Sequence, residues 1–487
     1  MGPKIKIALI ICLICLLSMV MHLRIFNKDL IGYHVWRQTE TQTVINNYIK
    51  TTTPFIKPLI NDLSERGDGL HIREFPMMQW TFAQLSMNVA NPYITSRILS
   101  FLISCLSLFG IYYLVKLIFS SSPIAILSTW LLCFSPVFYY YCVNPMPDNL
   151  ALCFGIFSIF YSVNWYKRQK ISDLILALLF LSLATLIKLP FVLNGCTLFY
   201  FLLVGSRNNT FKLNLIKIGL CLFFLSIPLI WYFYSINTWG GKGLQNGVFG
   251  SKLSVYDSLD IIVFNLVSTL PELFVNYVAF PVFCLGIFYF LKNKRLGIIA
   301  QGFIFQLIFL TVYFLYEHNM IGKVHDYYLL PFIPIIILTS CYGFKQLLTF
   351  KNKIFKYSLI IGIILMPLTA YLRIQNRWDE NKPGFNKAFY DYKSKIRKIL
   401  PKNARCIIGN DPSKFILLYY IDRKGWTFDL TNLNHSNFKL WMEKGATHVI
   451  FDSNLETIPE ISKHFGAKLF DQDGIKIYLL LTPNPIE

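Results

Sequence analysis

The chain has 487 residues, 54% of them hydrophobic and 15% charged, with a mean hydropathy of +0.48. Soluble domains carry roughly a quarter charged residues, so this composition excludes a water-soluble globular protein. The net charge of +20 does not mark a nucleic-acid binder, because the basic residues fall in short clusters between apolar runs.

The first apolar run, 7–26, follows Lys4 and Lys6 as a signal peptide would. It is long for a signal peptide's apolar region and no small-x-small cleavage site follows, so it reads as a retained first span. A long polar segment, 27–96, comes next. It opens with His34-Val-Trp-Arg-Gln-Thr-Glu40, which contains neither Pro nor Gly and reads as a helix. Helical spacing puts His34, Arg37, Gln38 and Glu40 on one polar flank and lets Trp36 pack toward the membrane interface. An ordinary interfacial helix with an intrahelical Arg37/Glu40 pair explains the same pattern. Further along the segment is Glu74-Phe75-Pro76.

A bilayer core about 30 Å thick needs roughly 20 apolar residues per helix. Runs near that length lie at 97–118, 123–143, 149–166, 172–189, 190–206, 215–236, 273–291, 297–316, 327–348 and 357–374, giving about eleven spans with the first. Asp148 ends the turn Asn144-Pro-Met-Pro-Asp148 at the start of one span, where a helix dipole stabilises its charge and a simple cap is the plain alternative. Lys188 stands near the end of another, directly before Leu189-Pro190. An ionisable residue there is costly and a functional candidate, unless it merely snorkels. Lys323, His325 and Asp326 close a later loop, ahead of Tyr327 and Tyr328, which suit an aromatic belt.

With a cytoplasmic N-terminus, the inner loops collect Lys116, Lys167, Arg168, Lys170, Arg207, Lys212, Lys292, Lys294, Arg295, Lys345, Lys351, Lys353 and Lys356. That is the positive-inside pattern. The outer face then receives 27–91, the Asp148 turn, Asn237 to Asp260, Glu317 to Asp326 and the tail, and their gathering on one face points to a composite site. The tail alternates helical patterns (Phe385 to Leu400, Ser413 to Tyr420) with short apolar strands (Cys406 to Gly409, His448 to Phe451, Ile475 to Leu481), as a small α/β domain would. The expected division is therefore a membrane domain, 1–374, with its outer loop 27–96, and an extracytoplasmic α/β domain, 375–487.

No Walker loop, GxGxxG, HExxH or paired Cys/His cluster is present, so no cofactor or metal is called for. The ordered set WRQTET, EFP, SPVFYYYCVNPMPDNLAL (Ser135 to Leu152), TLIKLP (Thr185 to Pro190) and HDYYLLPFIP (His325 to Pro334) resembles the GT-C glycosyltransferases. Within them it resembles the group that holds the lipid A aminoarabinose transferase and the protein O-mannosyltransferases, and the likeness covers residues 5 to 375. It implies a polytopic α-helical GT-C-like fold in the plasma membrane and a polyprenyl-phosphate-linked sugar as donor. It also implies a lipid, glycan or protein acceptor on the extracytoplasmic side. Through it, Glu40 and Asp148 become candidate catalytic carboxylates, and Arg37, Lys188, Lys323 and His325 candidate ligands of the donor phosphate. His34, Gln38, Glu74 and Asp326 become further substrate contacts. The chain departs from relatives in having Arg37-Gln38 where they often carry Asp-Glu, and Phe75 where they often carry a lysine. The rival class is a lipid or polysaccharide transporter without transferase chemistry. Against it, Lys188 is nearly alone among charges within the spans, whereas a transport path would distribute them.

The topology predicts that a reporter active only in the cytoplasm stays silent when fused after Glu487. Strong reporter activity there would contradict an extracytoplasmic tail.

Overall fold

The structure, a computed structural model, describes residues 3–64, 66–205, 211–239, 252–430 and 433–481. Arg207, and residues 240–251 of the expected outer segment, lie outside the described residues. The chain forms two compact units interleaved in sequence. One comprises Met1–Asn27, Arg73–Met78 and Arg97–Ile374; the other comprises Lys28–Ile72, Gln79–Ser96 and Gln375–Glu487.

The first unit is helical. Among the described residues, six helices are long and apolar enough to cross a membrane: Ile5–Phe26, Pro92–Phe119, Asn214–Ile236, Val255–Val275, Ile298–Ile321 and Asp326–Leu347. A seventh is formed if Lys353–Ile364 and Met366–Trp378, bent by 50°, count as one span. This is a multi-pass membrane architecture. Several other apolar runs are shorter or broken helices, so among the described residues fewer than the expected eleven are at once continuous, of spanning length and apolar enough. The run 123–143 stops at Cys133 and restarts at Pro136, whose ring cannot supply the N–H that a continuing helix needs. The run 190–206 begins as a 3-10 turn, Leu189–Gly195, for the same reason at Pro190. Val255–Val275 is a long helix where the sequence suggested partly outer chain; Asp257 and Asp260 in its first turns obscure the apolar run behind them.

Two helices matter most. Pro147–Arg168 and Ile171–Ile187 form an antiparallel hairpin turned at Gln169, which takes the left-handed conformation, and Lys170. At 1.5 Å per residue, 22 residues rise about 33 Å. The basic turn Lys167 to Lys170 and the end bearing Asp148 and Lys188 are thus about one bilayer thickness apart. Elsewhere Phe280–Lys292 packs on Ile333–Leu347 through Gly286 and Gly343, where a Cβ would meet the carbonyls of Thr339 and Val282 at 2.1 and 1.9 Å. Small residues are what let helix backbones approach so closely in lipid.

The second unit is a five-stranded sheet in the order β2-β1-β3-β5-β4. The strands are β1 (Arg405–Gly409), β2 (Lys424–Phe428), β3 (His448–Phe451), β4 (Phe465–Gln472) and β5 (Ile475–Leu480). The first three pair in parallel, and β5 runs antiparallel to both β3 and β4. The α/β reading of the tail holds, with β2, β4 and the helix His435–Glu443 added to it. Alternation builds two cores. Cys406, Ile408, Ile450, Ile475 and Ile477 face the helices Lys387–Ile399 and Ile416–Ile421, while Ile407, Val449, Phe451 and Tyr478 face Phe438 and Met442.

The first core also takes Leu30 and Val35 from the early segment, with the partly buried Trp36 packed against it. Asp29 fixes this segment by accepting from Tyr419 Oη at 2.8 Å and Lys393 Nζ at 2.7 Å. On the sheet edge, Gly425 N donates to the Asn61 carbonyl at 3.0 Å and Leu63 N donates to that of Gly425 at 2.7 Å. Residues 61–63 thereby run beside β2 and cover an edge that would otherwise invite association.

Asp62 is buried within this added edge, and burial pushes its carboxyl up to about 6 despite the nearby Lys414. Between the ordinary value and pH 6 the unfolded segment loses its proton while the folded one keeps it, so stability falls as pH rises. The loss is complete above pH 6 and amounts to about 3 kcal/mol at most. Hydrogen exchange of residues 59–63 and β2 in the intact protein should quicken from pH 4 to pH 6.5 beyond the intrinsic rate. Asp62→Asn should remove that excess; an unchanged excess in the variant would assign it elsewhere.

Candidate functional site

Ile171–Ile187 ends because Pro190 has no N–H to offer the Leu186 carbonyl one turn back, and Lys188, the residue after the helix, is extended with φ −153° and ψ 111°. Its ammonium is thereby released from the helix and lies 3.5 Å from Glu74 Oε1 and 3.7 Å from Asp148 Oδ1. It also stands 5.7 Å from the ring centres of both Tyr327 and Tyr328, at the range of a cation–π contact. The sequence treated these tyrosines as a belt; the structure sets them against the cation.

Each carboxylate is held by its own scaffold. Phe75 N donates to the Leu186 carbonyl at 3.1 Å, and the Arg73 carbonyl accepts from Trp231 Nε1 at 3.1 Å and Ser235 Oγ at 2.7 Å, so Glu74 sits on a pinned segment. Asp148 follows Pro147 in the first turn of its helix, is 1% exposed, and does not cap it. Neither of its carboxyl oxygens has a hydrogen-bond partner among the described residues. The turn before it is organised by Arg97, wholly buried, whose Nη1 donates to Asn144 Oδ1 at 2.6 Å and to the Val143 carbonyl at 3.2 Å. Asn149 Nδ2 closes the turn onto the Tyr141 carbonyl.

The remaining candidates of this unit divide. Asp326 is buried and accepts from Tyr141 Oη. His325 rests its Nδ1 at 2.8 Å from the Met320 carbonyl, with its ring 5.8 Å from that of Tyr327 and 6.1 Å from that of Tyr328. It therefore borders the two tyrosines that face Lys188. Lys323 pairs with Asp260 at 2.5 Å on an exposed surface.

The second unit has its own charged group. On the helix Val35–Lys50, Glu40 is 2% exposed and receives Arg37 Nη1 at 2.5 Å on one oxygen and His71 Nε2 at 2.6 Å on the other. The intrahelical Arg37/Glu40 pair is present, but buried rather than interfacial. Phe415 sets its ring edge to the His71 ring at 5.5 Å. His34 is not on the helical flank: it precedes the helix in a left-handed conformation with its ring 4.1 Å from that of Tyr33, and Gln38 Nε2 donates to the Tyr33 carbonyl at 3.0 Å.

Sequence reasoning passed over His71, Arg97 and Tyr141. Arg97 gave a signal, as a guanidinium inside the first turns of an apolar run. His71, three residues before Glu74, gave none. The cluster in the first unit sets a carboxylate with uncommitted oxygens beside a cation, which can accept a proton from a hydroxyl and neutralise an anion within a few ångströms.

The family model of dolichyl-phosphate-mannose-protein mannosyltransferases matches residues 74–232, the stretch that carries Glu74, Asp148 and Lys188. No curated protein matches the chain by sequence. Among solved structures, ArnT from Cupriavidus metallidurans in the apo state aligns over 98% of both chains with a TM-score of 0.65 at 10% identity. ArnT bound to undecaprenyl phosphate aligns over 98% of this chain and 97% of that one, with a TM-score of 0.66 at 11% identity. The fold is that of the GT-C glycosyltransferases. An Archaeoglobus fulgidus oligosaccharyltransferase in the apo form extends the likeness, over 96% of this chain and 73% of that one, with a TM-score of 0.59 at 13% identity.

Because Glu40 is the buried counter-charge of Arg37, Glu40→Ala should destabilise the second unit by about 3–5 kcal/mol, the usual result of orphaning a buried charge. Arg37→Met combined with Glu40→Leu should lose much less. Chemical denaturation of the purified variants checks this, and equal losses would contradict it.

Proposed function

We propose that the chain is a membrane glycosyltransferase that moves a hexosyl or pentosyl group from a polyprenyl-phosphate donor to an acceptor hydroxyl on the extracytoplasmic face. The observation that carries this is the placement of Lys188 between Asp148 and Glu74. They stand at the end of a helix hairpin opposite the basic turn Lys167 to Lys170. By the positive-inside rule the basic turn lies in the cytoplasm, the N-terminus with it, and the carboxylates outside. The undecaprenyl phosphate bound by ArnT, whose fold this chain shares, and the mannosyltransferase model over residues 74–232 support the same donor class.

In this reading the acceptor hydroxyl, borne by a lipid, a glycan or a protein, attacks the anomeric carbon while the bond to the phosphate oxygen breaks. Asp148 accepts the hydroxyl proton; neither of its oxygens has a hydrogen-bond partner among the described residues, and one stands 3.7 Å from the Lys188 ammonium. Lys188 meets the charge that grows on the departing polyprenyl phosphate, and His325, beside Tyr327 and Tyr328, borders the same anion. Glu74 shares Lys188 with Asp148 and so helps to hold the ammonium in place before the donor arrives. Glu40, occupied on both oxygens, serves as an anchor for Arg37 and His71 rather than as the base. The donor's tail stays in the bilayer, which is why such an enzyme is embedded.

Membranes bearing the protein should release free polyprenyl phosphate from at least one of a panel of labelled polyprenyl-phosphate sugars when acceptor lipids or glycans are supplied. Asp148→Asn should lower kcat by about 10²–10⁴-fold, the usual weight of a general base. Lys188→Ala should reduce kcat/KM for the donor strongly, and Lys188→Arg less, because lysine acts here as a point charge. Near-normal turnover in Asp148→Asn would remove it as the base.

A further inference from the structure

Asp148 and Lys188 lie on different elements, so something must fix their separation. Gly155 stands seven residues after Asp148 on the same helix, nearly two turns on, and so on the same face. A Cβ at Gly155 would lie 2.3 Å from Asn194 Nδ2 and 3.1 Å from Phe191 Cδ1. Both residues belong to the 3-10 turn Leu189–Gly195 that begins directly after Lys188, and Phe191 N donates to the Lys188 carbonyl at 3.0 Å.

Asn194 is not free to move aside. Gln306 Nε2 donates to Asn194 Oδ1 at 2.9 Å, and Gln306 Oε1 accepts from Thr197 Oγ1 at 2.6 Å. All three side chains are wholly buried. Within a membrane bundle such a chain has no water to exchange with, so it holds its geometry.

We infer that Gly155, Asn194 and Gln306 are positioning residues that set the Asp148–Lys188 separation and, through it, the affinity for the donor phosphate. The glycine lets the Asp148 helix seat against the turn, and the amide pair stops the turn from retreating. The second part rests on reading Lys188 as the phosphate's partner; the first does not.

The test uses the intact protein in nanodiscs, with undecaprenyl phosphate as probe. Gly155→Ala should weaken its binding at least tenfold, and the cryo-EM structure of the variant should show the Asp148–Lys188 pair opened beyond 3.7 Å. Adding Asn194→Ala removes the amide that the new methyl strikes. The double variant should then bind within about threefold of Asn194→Ala alone. A merely structural role predicts the opposite, losses that multiply. Wild-type binding or an unchanged pair in Gly155→Ala overturns the inference, as does a double variant whose loss equals the product of the single losses. Should Gly155→Ala fail to assemble, Asn194→Ala decides: at least threefold weaker binding with a changed separation supports the inference, and no change in either overturns it. If the wild-type protein does not bind undecaprenyl phosphate, the donor reading fails, and the measured separation in the variants then settles the positioning claim by itself.

Discussion

An ammonium at the end of an apolar helix has to be met by charge, and much of the membrane unit is arranged around meeting that of Lys188. The helix stops because of Pro190, the ammonium is released toward Glu74 and Asp148, and two tyrosine faces flank it. Each carboxylate in turn needs its own support: Trp231 and Ser235 behind Arg73 for one, and Arg97 beneath the Asn144 turn for the other. Two acids around one base leave an excess negative charge in a buried setting.

The same economy of charge appears in the second unit in a different form. There Glu40 has both of its oxygens engaged, one by Arg37 and the other by His71. Buried ion pairs of this kind contribute little net stability but are costly to break, and they fix local geometry. Open carboxylate in one unit and closed carboxylate in the other is the contrast that separates a candidate base from an anchor. Nothing in residue type distinguishes them.

Much of the plan was legible in the sequence. Apolar length revealed a multi-pass protein, short apolar runs at Cys406 to Gly409, His448 to Phe451 and Ile475 to Leu481 revealed the sheet, and ordered motifs such as TLIKLP revealed the resemblance in fold. Edge elements were less visible: β2 is interrupted by Lys424, Gly425 and Thr427, and β4 carries charge on its exposed positions, so both lack an apolar signature. Spans interrupted by Pro136 and Pro190 read as continuous because composition registers hydrophobicity, while a helix also requires an unbroken chain of N–H donors.

What the sequence determined by itself was the solvent of each segment. Hydropathy is additive along the chain and needs no partner to be read, so membrane spans, basic turns and the α/β tail follow from local composition. Tertiary structure alone decided which carboxylate is open and which is occupied. Pairings such as Glu74 with Lys188, Glu40 with His71, and Gln306 with Asn194 join residues separated by 31 to 114 positions. Their partners are chosen by packing at distances of a few ångströms, a scale on which the linear chain carries no record.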